Sequence, residues 1–220
     1  MGIIKHLLIN NVRHLIAPSF CTYCGIILFE KAWWCAQCAA QVKPVVSKTI
    51  EVTKSFQMPV FAAGVYEEPL KSLILGKSWS SRVASVQLGE LIWQRTAISV
   101  LDFDYIVPVP LHWRRYAWRG YNQAEVIAQT INKISGKPIA QIIKRKTSTP
   151  YLSSRKIHER SEIICDAFAP IGDLKKYDGA TLLLIDDLLT TGATLHAVAR
   201  TILYGCKPEA LYGAVAARVI

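Results

Sequence analysis

The apolar positions of this chain fall into two repeats of strand followed by helix. From Thr181 the sequence runs Thr-Leu-Leu-Leu-Ile, a short unbroken apolar stretch of the kind expected for a strand buried on both faces of a parallel sheet. Beyond a loop of small residues, Leu195, Val198, Ala199, Ile202 and Leu203 recur at helical spacing on one face, with Gly205 as the stop and Pro208 just past it. Earlier, Asp104 to Pro110 reads as a strand ended by its prolines. After Gly120, the residues Ala124, Ile127, Ala128, Ile131 and Ile134 share a helical face. A strand-like piece from Cys165 to Phe168 completes the set. Together these predict an α/β domain built on a parallel sheet flanked by helices. At the start of the chain, Ile4, Leu8, Val12 and Leu15 predict one more apolar helical face, ending before Pro18 and docked on the protein's own core; a helix lying on a membrane surface is the alternative.

With 220 residues, 51% of them hydrophobic, the chain can bury one substantial core and carry a small appended module. We expect an N-terminal helix and metal module over residues 1–55 and the α/β domain over 56–220. Charges interrupt every apolar run before it reaches the roughly 18 to 20 residues of a membrane span. Lys5, His6, Asn10, Asn11 and Arg13 break up any signal-peptide core, so the expected location is the cytoplasm or the inner face of the membrane. A net charge of +10 points to an anionic partner: nucleic acid, a phosphate-rich ligand or an anionic surface. A solvated basic surface is the plain alternative.

Four of the six cysteines form two Cys-x-x-Cys pairs, Cys21 with Cys24 and Cys35 with Cys38, separated by ten residues. Each pair can bring two thiolates to one ion, and two pairs complete the closed tetrahedron of a structural Zn²⁺ site. Gly25 supplies backbone freedom for the first turn, and Trp33 and Trp34 can cover so small a module. Two disulfides are the competing account, disfavoured in a reducing compartment; an iron–sulfur cluster or redox pair also uses this spacing. Cys206 and Cys165 read as small buried residues.

The chemistry follows the apolar run at Thr181. Asp186 and Asp187 stand at the carboxyl end of the strand, where open α/β sheets bind ligands, and Thr190, Thr191, Gly192, Ala193 and Thr194 lead into the helix. Loop N–H groups, threonine hydroxyls and the helix N-terminus suit a phosphate, and Gly192 allows a close approach. Two carboxylates do not favour a phosphate. Their expected partners are ribose hydroxyls, which donate, or a Mg²⁺ ion held through its waters. The segment therefore specifies a phosphorylated sugar, and the absence of a GxxxxGK[ST] motif disfavours a P-loop nucleotidase.

A second anion-facing loop is expected after Pro110 and Leu111. It carries His112, Arg114, Arg115 and Arg119 among Trp113, Tyr116, Trp118 and Tyr121. Arginines there suit a pyrophosphate, held by planar bidentate contacts. The same mixture of base and aromatic suits single-stranded nucleic acid. Lys144, Arg145 and Lys146 open a polar, basic connection through Thr149 and Pro150 to Ser153–Glu162, which reads as a lid or an ordinary surface loop; His158 and Glu159 within it are weak acid–base candidates.

The Asp186–Thr194 signature resembles that of the type I phosphoribosyltransferases, which bind phosphoribosyl pyrophosphate with Mg²⁺ on a parallel sheet. The order of zinc knuckle, then Val107–Glu125, then Leu182–Thr194 resembles the ComF family over nearly the whole chain. The resemblance implies a phosphoribosyltransferase-like fold and a role in natural competence, assisting the passage of incoming single-stranded DNA. It further implies zinc on Cys21, Cys24, Cys35 and Cys38, and phosphoribosyl pyrophosphate or a related nucleotide on Asp186 through Thr194. Proteins of the DNA-uptake machinery are the expected partners. His112, Arg114, Arg115, Arg119, Gly120, Asn122 and Gln123 match the family's PLHxRR…RGxNQ segment, and Lys77 falls on its usual lysine. In the lid region the chain departs from the family, with Leu152 and Ile163 where glutamine and asparagine are usual, while Arg160 is kept. The rival expectation is a working transferase that moves the ribose phosphate to a base or amine.

Overall fold

The computed structural model describes residues 19–28, 32–75, 81–111, 120–146 and 167–220. The expected N-terminal amphipathic helix, Lys77, the residues His112 to Arg119, and the segment 147–166 with Leu152, His158, Glu159, Arg160, Ile163 and Cys165 lie outside them.

Five strands form the central sheet: β3 (Lys48–Thr53), β4 (Phe56–Val65), β5 (Tyr105–Pro108), β8 (Thr181–Leu189) and β9 (Ala210–Arg218), in the order β3-β4-β9-β8-β5. β4, β9, β8 and β5 are mutually parallel. β3 adds an antiparallel edge through its hairpin with β4, so the sheet is mixed rather than wholly parallel. That hairpin straddles residue 55, and both of its strands belong to the sheet. Two smaller pairs are β1 (Ser19–Phe20) with β2 (Ile27–Leu28), and β6 (Ile143–Arg145) with β7 (Phe168–Pro170).

The helices are α1 (Ala36–Ala40), α2 (Leu70–Leu75), α3 (Ser81–Arg95), α4 (Gln123–Ser135) and α5 (Ala193–Gly205). Period-two alternation in β8 divides the core between them. Leu182 and Leu184 pack with Leu195, Val198 and Ile202 of α5, whereas Leu183 and Ile185 pack with Leu88 and Ile92 of α3 and Ile127 and Ile131 of α4. Every apolar residue from Leu182 to Ile185 is fully enclosed, which is why this strand reads as a continuous run. Asp104 fixes its start: its carboxylate accepts from the Thr181 amide at 2.8 Å and its own amide donates to the Thr181 carbonyl at 2.8 Å.

Three local expectations are corrected. Ile134 does not join the buried face of α4 and is 44% exposed; Val126 and Thr130 are buried instead. Gly205 does end α5, as its last helical residue, but not through a left-handed cap, for its φ is not positive. A Cβ there would meet Leu174 at 2.7 Å, so close packing explains the glycine. Finally, Lys144 and Arg145 lie in β6 rather than in a loop, paired with Ala169 and Phe168, and the Lys146 amide donates to the Ala167 carbonyl at 2.8 Å. Ile142 and Ile143, buried against the α5 side of the core, carry that strand.

Candidate functional site

Pairing between β5 and β8 stops at Pro108 opposite Ile185, and the Val109 amide closes it by donating to the Ile185 carbonyl at 2.9 Å. β8 continues beside β9 for four more residues, to Leu189 opposite Arg218. The strand therefore extends beyond the apolar run, and Asp186 and Asp187 lie within its one-sided end. Such a split between neighbouring parallel strands is where open α/β sheets form ligand crevices. Here it opens a cleft of about 710 Å³. Asp186, Asp187, Thr190 and Thr194 line one side, with Arg145 beside them. Tyr66, Ile74, Leu75, Pro110 and Leu111 give the cleft an apolar wall, and Asn122 and Gln123 stand at the start of α4.

Both aspartates are half-buried. Asp186 Oδ1 accepts the Asp187 amide at 2.9 Å, which fixes the first carboxylate against the backbone. In the loop that follows, Thr190 and Thr191 are exposed and Gly192 is buried. Gly192 occupies the N-cap position of α5 with φ 92° and no side-chain cap, leaving the first amides of the helix facing the loop. The Thr191 hydroxyl accepts from the Ala193 amide at 3.3 Å. Glycine is favoured at 192 chiefly by its φ, and a Cβ there would also press on the tip of Ile50 on β3, 2.9 Å from Cδ1.

The alternation of β6 sorts the three basic residues expected together. Lys144 and Lys146 are exposed, while Arg145 is half-buried, lines the cleft and lies 5.3 Å from the Phe168 ring centre. Three further residues were not among the sequence candidates or had no role there. Lys48 of β3 donates from Nζ to the Thr191 carbonyl at 3.1 Å. Asn122 caps α4 by accepting from the Ala124 amide at 3.2 Å while its Nδ2 donates to the Val109 carbonyl at 3.0 Å, tying the helix to the end of β5. Gln123, buried, donates to the Ile74 carbonyl at 3.0 Å and so holds the end of α2 at the cleft. An asparagine just ahead of a helical pattern is a readable cap signal; Lys48, 143 positions from its partner, leaves none.

Away from the aspartates in sequence, the sulfurs of Cys21, Cys24, Cys35 and Cys38 all lie within 4.8 Å of one another. A tetrahedral ion with metal–sulfur bonds of about 2.3 Å sets its ligand sulfurs about 3.8 Å apart, and Cys24 Sγ and Cys35 Sγ are at 3.7 Å. That separation is far beyond the roughly 2.05 Å of a disulfide. The cluster could therefore hold one tetrahedral metal ion. The first pair sits in a turn closed by the Gly25 amide donating to the Cys21 carbonyl at 2.9 Å, with Gly25 at φ 75°. The second opens α1, where Cys35 is the N-cap and its sulfur accepts the Cys38 amide. Burial pushes the Cys21 thiol up, but backbone donors at Cys24, Cys35 and Tyr23 outweigh it and bring it down to about 6. Burial, reinforced by its cysteine neighbours, pushes the Cys38 thiol up. A bound cation would let all four ligate as thiolates.

Residues 119–219 match the family described as the phosphoribosyl transferase domain. Competence protein ComFC of Bacillus subtilis (strain 168) is 37% identical over 98 residues, a match spanning 44% of this chain and only 38% of that protein's length. Competence protein F of Haemophilus influenzae is 27% identical, covering 82% of this chain and 77% of that protein. The chain is thus similar to ComF-type competence proteins, with the phosphoribosyl transferase domain matched over its C-terminal part. A third relative, DNA utilization protein YhgH of Salmonella typhimurium, is 24% identical over 86% of this chain and 92% of its own. This chain accordingly combines a mixed, mainly parallel sheet flanked by helices, matched to the phosphoribosyl transferase domain over residues 119–219, with a four-cysteine cluster near its N-terminus.

Proposed function

We propose that this protein is a ComF-type cytoplasmic competence factor whose cleft binds phosphoribosyl pyrophosphate or a related nucleotide, and whose basic surfaces bind single-stranded DNA. One observation carries the ligand reading: β8 outruns β5, and Asp186, Asp187, Thr190 and Thr194 line one cleft. Loop amides and the N-terminus of α5 suit the ligand's 5′-phosphate. The carboxylates of Asp186 and Asp187 suit the ribose hydroxyls, or a Mg²⁺ ion reached through its waters. That ion would supply charge neutralisation of a pyrophosphate, and Arg145, at the same cleft, adds a cation of this chain's own. The DNA reading draws on the names of the relatives and on the +10 charge, with His112, Arg114, Arg115, Arg119, Lys144 and Lys146 as its contacts and proteins of the uptake machinery as partners. Zn²⁺ is the ion proposed for the four cysteines, in a structural role.

Calorimetric titration with phosphoribosyl pyrophosphate and Mg²⁺ tests the cleft. Binding by the natural protein that is lost in Asp186→Ala, Asp187→Ala is the expected result; equal binding by both overturns it. A second reading is favoured by the apolar wall of Tyr66, Ile74, Leu75 and Leu111, which could seat an acceptor base or amine. In that reaction the acceptor nitrogen bonds to ribose C1 as the C1–O bond to pyrophosphate breaks, and the carboxylates face the positive charge developing on the sugar. Pyrophosphate release with any nucleobase or amine would establish it; none across a broad panel would leave binding as the function.

A further inference from the structure

The β1–β2 hairpin of the four-cysteine module is apolar on both faces. Ser19 pairs with Leu28 and Phe20 with Ile27, and directly opposed residues share a face. Leu28, 8% exposed, points into the module's small core with Cys21 and Cys38. Phe20 and Ile27 therefore point the other way, 52% and 51% exposed, with Ile26 beside them at 56%. An antiparallel ladder with one face in water alternates apolar and polar residues, so its outer pair should be polar. Here it is phenylalanine against isoleucine. Among the described residues, exposed apolar side chains such as Val100, Ile134 and Ile171 stand on or beside separate elements, as scattered surface residues normally do. Phe20, Ile26 and Ile27 instead gather on one hairpin, which is the mark of a surface that something covers.

The backbone of the hairpin is satisfied without a cover. The Cys21 amide donates to the Ile26 carbonyl at 2.8 Å, and the Thr22 amide to the Trp33 carbonyl at 3.0 Å. What the hairpin lacks is burial, since a two-stranded pair this short is marginal by itself in water.

The chain reaches β1 through residues 1–18. In that segment Ile4, Leu8, Val12 and Leu15 recur at helical spacing, and Pro18 ends the repeat directly before Ser19. At the same spacing His6, Asn10 and Arg13 fall on the opposite side, suited to water. An amphipathic stripe needs an apolar surface to cover, and the nearest one along the chain is the pair Phe20 and Ile27. So short a tether makes their meeting intramolecular and keeps the stripe at high effective concentration over the hairpin. We propose that residues 1–17 dock this stripe on the outer face of the β1–β2 hairpin. The module's second face is then covered by the chain's own N-terminal segment, and the sheet takes no part in holding it. The proposal is independent of what the cleft or the basic surfaces bind.

Hydrogen exchange on the full chain, read by mass spectrometry, tests it. Amides of residues 4–15 should exchange roughly tenfold faster in Leu8→Asp, Val12→Asp than in the natural protein. The same variant should speed exchange over residues 19–28 while β8 and β9 keep their natural protection. Reciprocally, Phe20→Ser, Ile27→Ser should release residues 4–15, with unchanged exchange across Ala36–Ala40 showing that the module is still folded. Should that second variant lose the module, the first still decides, because its substitutions lie outside it. Unprotected amides over 4–15 in the natural protein, or natural exchange over 19–28 in Leu8→Asp, Val12→Asp, overturns the proposal. Protection of 4–15 that appears only with concentration-dependent dimerisation in sedimentation, or only with phosphatidylglycerol vesicles, gives the face to a second copy or a lipid surface and overturns it equally.

Discussion

Lys48 donates its ammonium to the backbone carbonyl of Thr191 at 3.1 Å, joining the edge strand β3 to the loop at the mouth of the cleft. The contact holds the loop and also stations a cation beside amides suited to an anion. Lys48→Met should weaken ribose 5-phosphate binding by roughly five- to tenfold with little change in melting temperature, and Lys48→Arg should recover part of the loss. Calorimetry on the three proteins checks this. Unchanged affinity in Lys48→Met would reduce the contact to a surface tether.

Two residues further along β3, Ile50 lies under Gly192. Gly192→Ala combines a φ of 92° with a Cβ placed 2.9 Å from Ile50, and should cost about 1–3 kcal/mol. Gly172→Ala is the comparison, since φ is 69° there but nothing lies within 4 Å; it should cost about 1 kcal/mol. Denaturant unfolding measures both. Equal losses would show that backbone strain alone matters and that the contact with β3 does not.

If the four cysteines hold a metal, its loss should loosen the contacts between their module and α3 before it acts on the sheet. Cys38 is buried in the module's small core, and Arg95 and Glu90 reach that module from α3. Cys38→Ser, or treatment with a strong chelator, should abolish metal content by elemental analysis and speed amide exchange across Ala36–Ala40, while β8 and β9 stay protected. Uniform loss of protection through the sheet would contradict this order.

His196, half-buried on α5, is shifted downward by burial, then by the nearby Arg200 charge; a hydrogen bond to the Val52 backbone acts in the opposite direction. The folded chain therefore binds fewer protons here than the unfolded one. Stability attributable to the neutral ring is present above the ordinary value of 6.5 and is lost as pH falls below it. His196→Gln should flatten the decline in melting temperature below about pH 6.5. An identical pH profile for the variant would place the acid sensitivity elsewhere.

The elements easiest to read in the sequence were those enclosed on both sides by their own repeat. Leu182–Ile185 is unbroken because neighbouring strands and helices cover both of its faces, and α5 follows with a clear apolar stripe. The four cysteines and the Asp186–Thr194 segment were legible because their chemistry is local. α3 was not, because it is packed from several directions. It buries Ser85 and Gln87 along with Leu88 and Ile92, so no single stripe stands out. Gly89 lets α4 approach so closely that a Cβ would meet Thr130 at 2.7 Å. The β3–β4 hairpin was missed for a different reason. Its contribution to the site, through Lys48 and Ile50, lies in contacts with residues 191 and 192 that no local pattern encodes.

Among the described residues, that hairpin joins the sheet only through β9, which follows every other described strand in chain order yet lies between β4 and β8. During folding, β3 and β4 close locally but have no ladder to enter until β9 is in place, and such long-range closures are slow relative to local ones. The support under the Thr190–Thr194 loop is therefore among the last parts of the molecule to assemble.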